Sequence, residues 1–252
     1  MSWLVDHPFV VFAVALCVQW CSAYLGDLLR RTVRPVGRVE REDFDTVLTA
    51  TLTLLALIIG FSFTMAVSRY DQRKDFEEAE ANAIGTEFLR ADLLPGDSAS
   101  KVRELLKRYV EQRIAFYRGD ATAPAADGQP AGPIEAELWS VVAEAAKAQQ
   151  TPINALTVSG MNDVLNSQGY TQASWLNRIP GAAWDLLGVI AIFCNLLLGY
   201  RERKTGLLVL TVLPVVSSIA FFLIADIDAP RGGVIRVIPY NLIAVAQSIG
   251  QN

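Results

Sequence analysis

The sequence predicts an all-α membrane protein: four transmembrane helices, a helical soluble domain inserted between the second and third, and a second helix that extends out of the membrane. Three observations carry this expectation. Four apolar runs, at residues 8–26, 47–67, 181–200 and 207–225, reach the length needed to cross a bilayer. The region between the second and third runs, residues 69–180, is polar but keeps helical periodicity, and no strand-type alternation is sustained anywhere. Finally, residues 43–94 contain no proline; as one helix at about 1.5 Å per residue they would span roughly 78 Å, well over twice the ~30 Å hydrocarbon core.

Composition agrees with a two-part chain. It is 52% hydrophobic, yet 19% of residues are charged, more than a purely embedded protein carries. The expected division is a first transmembrane hairpin (1–67), a soluble domain (68–180), a second hairpin (181–226) and a C-terminal tail (227–252). A net charge of −4 and the lack of any long basic run argue against nucleic acid as a partner, because phosphate binding needs clustered Lys and Arg. Cys17, Cys21 and Cys194 all fall in predicted spanning helices, so no disulfide framework is expected in the soluble domain. Cys17 and Cys21, at i and i+4, read as small apolar residues of a helix seam or as a soft-metal pair.

The first apolar run has Gln19 and Ser22 as its polar members. Residues 1–7 hold no Lys or Arg and no cleavage signature stands near Gly26, so this run is expected to be retained as an anchor. Residues 27–43 read as a loop carrying Arg30, Arg31, Arg34, Arg38 and Arg41, broken by Pro35 and Gly37. The loop between the last two spanning helices carries Arg201, Arg203 and Lys204. Against these eight stand Arg69, Arg73, Lys74, Arg178, Arg231 and Arg236 at the opposite ends, so the positive-inside rule narrowly places the short loops in the cytoplasm.

In the soluble region Phe76, Ala79, Ala83 and Thr86 recur at helical spacing, Ala81 and Gly85 permit close packing, and Leu94-Pro95-Gly96 stops the helix. The acidic run Asp71, Asp75, Glu77, Glu78 and Glu80 reads as a solvated face, with Arg73–Glu77 and Lys74–Glu78 at i,i+4 spacing. After an N-cap at Asp97 or Ser98, Val102, Leu105, Leu106, Tyr109, Val110 and Phe116 form an apolar stripe opposite Lys101, Arg103, Lys107 and Arg108. Residues 119–133 read as a loop. Residues 134–149 form an amphipathic helix built on Leu138, Trp139, Val142 and Ala145, and Thr151-Pro152 caps the next, with Leu156, Met161, Val164 and Leu165. In the fourth spanning helix Pro214 with Ser217 and Ser218 predicts a kink whose freed carbonyl a serine satisfies. The last apolar segment, 234–249, is interrupted by Pro239 and too short to span.

Nothing in this pattern builds a catalytic site. His7 is the only histidine, and it sits at a predicted membrane edge. No Gly-rich phosphate loop or zinc-type spacing occurs, so neither an enzyme nor a cofactor is expected. The second apolar run is more informative. Thr46, Thr49, Thr53, Leu57, Gly60 and Thr64 succeed one another at steps of three and four, with Phe61 and Ser68 at the border of the same face. Such a stripe is either a helix–helix seam, with hydroxyls bonded back to i−4 carbonyls, or the wall of a pore. Arg69 and Tyr70 follow at the boundary, as an interfacial pair or as part of a charged ring at a pore mouth. Asp185 and Asn195 are polar residues inside the third apolar run, facing a bundle interior or, for Asp185, a helix N-terminus. Asp226 and Asp228 read as a turn capping the fourth helix, or as oxygen ligands for a divalent cation.

The run Ile59-Gly60-Phe61 through Ser68-Arg69-Tyr70 resembles the pore-lining second helix of bestrophin ion channels. The stretch from Glu80-Ala-Asn82-Ala-Ile84-Gly85-Thr86 to Leu94-Pro95 is similar to the bestrophin-like family of bacterial membrane proteins, while Ile179-Pro180 opening the third helix and the Pro-Gly-acid turn after the fourth resemble features of bestrophins. The resemblance implies a homo-oligomer, a pentamer if bestrophin-like, in the bacterial inner membrane, with the second helix around the axis and small anions as the permeant species. By position Thr53, Leu57 and Phe61 would match the bestrophin constriction, where all three are apolar; Thr53 departs from that. The tail lacks the acidic run of a calcium clasp, and bestrophins place the large domain in the cytoplasm, against the arginine count. Membrane orientation is left open. The expected function is an oligomeric ion channel whose partners are membrane lipid, further copies of itself and small ions. The alternative is a membrane-anchored sensor or scaffold whose helical domain binds a ligand or partner protein.

Overall fold

A single helix runs unbroken from Arg38 to Arg90, 53 residues that at about 1.5 Å each amount to roughly 80 Å. It holds no proline and only two glycines, Gly60 and Gly85, so nothing in it removes a backbone hydrogen bond. In the computed structural model, which describes residues 5–32, 38–119, 132–201 and 207–251, this helix is the second of the chain. The order is α1 (Pro8–Thr32), α2 (Arg38–Arg90), a 3₁₀ turn (Ala91–Leu93), α3 (Asp97–Arg118), α4 (Pro133–Ala148), α5 (Pro152–Leu176), α6 (Gly181–Arg201), α7 (Leu207–Asp228) and α8 (Tyr240–Gly250). No strand occurs among the described residues. Four stretches are long and apolar enough to cross a membrane, in Pro8–Thr32, Glu42–Leu93, Pro152–Arg201 and Leu210–Asp228; the third includes the apolar helix α6. The fold is therefore that of an all-α membrane protein.

The first loop is shorter than expected. α1 continues through Gly26 to Thr32 because the Asp27 carboxylate accepts hydrogen bonds from both Arg30 and Arg31, at 2.5 Å each, and thereby supports the extra turns. Pro35 and Gly37 lie outside the described residues, as does most of the loop expected at 119–133.

Two compact units emerge. The first comprises Met1–Tyr70 with Arg178–Arg236, the second Asp71–Asn177 with Val237–Asn252. In the first, Val11, Leu55, Leu187, Ala191, Cys194, Phe221 and Ala225 form the core between α1, α2, α6 and α7. α1 and α6 meet backbone to backbone. A Cβ on Gly26 would stand 2.1 Å from the Leu196 carbonyl oxygen, and one on Gly199 would stand 1.9 Å from that of Ala23, so only glycine fits at either place. This seam uses Ser22, Ala23 and Gly26, whereas Cys17 and Cys21 are exposed. One turn away lies a buried polar knot. Asn195 Nδ2 donates to Gln19 Oε1 at 3.0 Å, Ser217 donates to the same oxygen, and Gln19 Nε2 donates to Ser218 Oγ at 3.2 Å. The Leu213 carbonyl, at 2.6 Å, and the Pro214 carbonyl, at 3.4 Å, compete with Gln19 for the single Ser217 hydroxyl proton, and the carbonyl four residues before Pro214, which the sequence points to, is not among its acceptors.

The second unit corrects the reading of the charged half of α2. Its buried face is Arg73, Glu77, Glu80, Ala81, Ile84, Glu87 and Phe88, while Ala79 and Thr86 of the expected stripe are exposed. Glu77 and Glu80 are buried because each finds strong donors there. Glu77 accepts the Leu242 amide at 2.9 Å and Asn241 Nδ2 at 2.7 Å, capping the start of α8. Glu80 takes the Arg113 guanidinium through Nε and Nη2 and the Thr171 hydroxyl at 3.0 Å. Arg113 in turn lies over the Phe116 ring, 4.5 Å from its centroid. The remaining helices follow expectation in part. The α3 stripe from Val102 to Phe116 is buried, and Thr151 caps α5 by accepting from the Asn154 amide at 3.2 Å. α3 itself starts after Gly96, whose φ of 58° opens the turn, and not after a side-chain cap. Trp139 and Leu156 face outward.

Candidate functional site

Within the first unit, α2 has two unlike sides. Leu48, Leu55, Ser62 and Ala66 are buried against the other helices. On the opposite side Thr46, Thr49, Thr53, Leu57, Gly60, Phe61, Thr64 and Ser68 are all exposed, Leu57 at 51% and Phe61 at 65%. A Cβ placed on Gly60 meets nothing within 4 Å. The stripe is therefore not a seam inside this unit. Its threonines bond back into the helix, Thr46 to the Glu42 carbonyl and Thr53 to that of Thr49 at 2.8 Å each, and Thr64 to that of Gly60 at 2.9 Å. The hydroxyl protons of Thr46, Thr53 and Thr64 are thus used within the helix, so these three turn methyl groups and oxygen lone pairs outward.

The residues expected beside the stripe separate. Arg69 is half-buried, with Nη2 3.8 Å from Met65 Sδ on the exposed side of the helix. Tyr70, one residue on and about 100° around the helix, packs instead against Ala66, Ile179, Ile224 and Ile227. Asp185 is exposed near the start of α6, and Asn195 belongs to the Gln19 knot. Asp226 accepts the amides of Val234 at 2.7 Å and Ile235 at 2.9 Å; Asp228 accepts that of Ile179 at 3.2 Å with both oxygens. The two carboxylates thus fasten the turn after α7 and the start of α6, where Asp6 also pairs with Arg178. At the other end of α2, Asp45 holds Arg201 in a two-pronged pair at 2.7 and 3.1 Å.

Three features escape sequence reasoning. The Gly26–Gly199 crossing needs the pairing of two distant helices before either glycine acquires meaning. Arg113 sits among apolar neighbours of α3 at helical spacing from Tyr109 and Phe116, a signal that would have marked it as buried. Glu87 follows Glu80 by two turns on the same face, yet it is fully buried with no hydrogen-bond partner on either carboxylate oxygen.

The model of the bestrophin-like domain matches residues 23–242. Crystal structures of a bacterial bestrophin homologue from Klebsiella pneumoniae share the fold. One, a single-residue variant, superposes with a TM-score of 0.66 at 14% identity, covering 95% of this chain and 94% of its own. A second variant gives a TM-score of 0.63 at 14% identity, covering 95% and 96%. A third, phased from zinc, gives 0.63 at 14% identity, covering 96% of each. No curated protein matches the chain. With 23–242 matched out of 252 residues, the chain belongs to the bestrophin-like family.

Proposed function

We propose that this chain is one subunit of an oligomeric ion channel of a bacterial inner membrane, a pentamer as in bestrophins, whose pore is lined by the exposed face of α2 and passes small anions. One observation carries the reading: an aligned face of threonine, glycine, leucine and phenylalanine on a membrane-crossing helix that its own unit leaves uncovered, opposite a well-packed side. Symmetric repetition around an axis would bring copies of that face together around water. Thr46 and Thr49 would then widen into one mouth, Thr53, Leu57 and Phe61 would form the narrow part, and Arg69 would raise the local anion concentration at the other end. Tyr70 would support Arg69 from the protein side. With Thr53 in the first of the three narrow positions, the constriction is partly polar and closes less readily by dewetting than an all-apolar ring. Family membership supports the same reading.

Purified protein reconstituted in planar bilayers tests it. Single-channel steps whose reversal potential follows the chloride gradient are the expected result. Absence of conductance under every ionic gradient, together with a monomeric mass in detergent, would overturn it and favour an anchored sensor.

A further inference from the structure

Glu87 lies in the second unit, on the last turn of α2, with its side chain pressed onto α5. Its carboxylate occupies a notch that exists because residue 160 is glycine: a Cβ there would stand 2.0 Å from Glu87 Oε2 and 2.4 Å from Arg90 Nη1. The side chain is fully buried, and neither oxygen has a hydrogen-bond partner. An ionised carboxylate in such a seat loses its hydration without replacement, whereas the neutral acid loses far less. The charges that bear on it are Arg90 from its own helix and Asp163 from α5, which oppose one another. The nearby charges of α3 are engaged elsewhere: Arg103 pairs with Asp92, and Arg103 and Lys107 lie over the neighbouring Phe88 ring.

We propose that Glu87 is the proton-binding site of a pH-operated latch, seated over Gly160 as the neutral acid and released from α5 when it ionises, the proton passing to bulk water. Burial, outweighing Arg90 and joined by Asp163, raises this carboxyl from the ordinary range to about 8. The sign follows from linkage. The seated form binds the proton more tightly than the released form, so the contact is most stable below the ordinary carboxylate pKa, weakens as pH rises between the two values, and levels off above about 8. Neutral pH falls on the steep part. Thr157 Oγ1, which donates to the Arg90 carbonyl at 3.4 Å, ties the same turn of α2 to α5, so release of Glu87 strains that bond next. The proposal concerns the soluble unit and stands apart from the channel reading.

Hydrogen exchange on the full chain in detergent, corrected for intrinsic rates, tests it. For peptides covering the end of α2 and the first half of α5, the opening constant of the wild type is expected to rise about tenfold per pH unit, or roughly a hundredfold between pH ~5.5 and ~7.5. Glu87→Gln, which cannot ionise, is expected to show a flat profile; an identical profile in wild type and variant would overturn the proposal. A second readout needs no variant. The infrared band of a protonated carboxyl in the wild type should titrate away with a midpoint near 8, and its absence at pH ~6.5 would refute the assignment. Asp163→Asn, by removing the like charge on α5, should move that midpoint down.

Discussion

Gly199→Ala is a direct probe of how the membrane unit is held together. The added Cβ would lie 1.9 Å from the Ala23 carbonyl oxygen, 2.8 Å from its carbon and 3.1 Å from the Asp27 nitrogen. All three are backbone atoms of α1, so no rotamer change relieves the clash. Carbon–oxygen contacts between helices settle at about 3.3 Å, so α1 and α6 must part locally by about 1.4 Å. A gap of about 1 Å forfeits up to half of the dispersion well at each pair of atoms along the seam. Overpacking of this kind costs about 1–3 kcal/mol. The Asn195–Gln19 bond, now 3.0 Å, stretches past hydrogen-bonding range and adds about 1 kcal/mol. The sum is roughly 2–4 kcal/mol. Thermal unfolding in detergent, followed by loss of the monodisperse peak, should show a midpoint lowered by several degrees. Gly60→Ala is the internal control: its Cβ meets nothing within 4 Å, and replacing glycine in a helix interior gains about 0.5–1 kcal/mol. If Gly199→Ala melts with the wild type, the close crossing of α1 and α6 is wrong.

Two further predictions concern the second unit. Arg113→Met leaves the Glu80 carboxylate buried without its partner and should cost about 3–5 kcal/mol in chemical denaturation, while the double change Glu80→Met with Arg113→Met should recover most of the loss. Glu77→Ala removes the acceptor of the Leu242 amide and Asn241; a loss of about 1–2 kcal/mol should appear as faster hydrogen exchange confined to the first turn of α8, with α3 unchanged.

The helices were legible because their signals are local. Apolar length marked the spans, Thr151-Pro152 marked the start of α5, and the α3 stripe from Val102 to Phe116 marked its buried face. The buried face of the charged half of α2 is not legible in the sequence, for a physical reason. Glu77 and Glu80 look solvated when only their own helix is considered, and become buried because α8 offers amides and α3 offers Arg113 from far along the chain. The same holds for Gly26 and Gly199, whose meaning lies in their pairing. For the candidate site, the spacing of Thr46 to Ser68 fixed which residues share a face, and left open whether that face met a helix of the same chain. The structure answers that within the first unit it does not. Asp226 and Asp228 carry both a reading as a turn capping the fourth helix and a cation-binding one in sequence; Asp226 takes the amides of the turn after α7, whereas Asp228 reaches across to the Ile179 amide ahead of α6, a long-range contact the sequence does not signal.

The measurement closest to the central claim is modification of single cysteines placed along α2 while current is recorded from reconstituted protein. Cys17, Cys21 and Cys194 are first replaced by alanine or serine, since Cys17 and Cys21 are exposed and would react. Thr53→Cys and Phe61→Cys should then react with a charged, water-soluble thiol reagent and lose conductance, whereas Leu55→Cys, on the buried side, should react slowly and keep it. Equal behaviour at the three positions, or blockage through Leu55→Cys alone, would contradict a pore lined by the exposed face of α2.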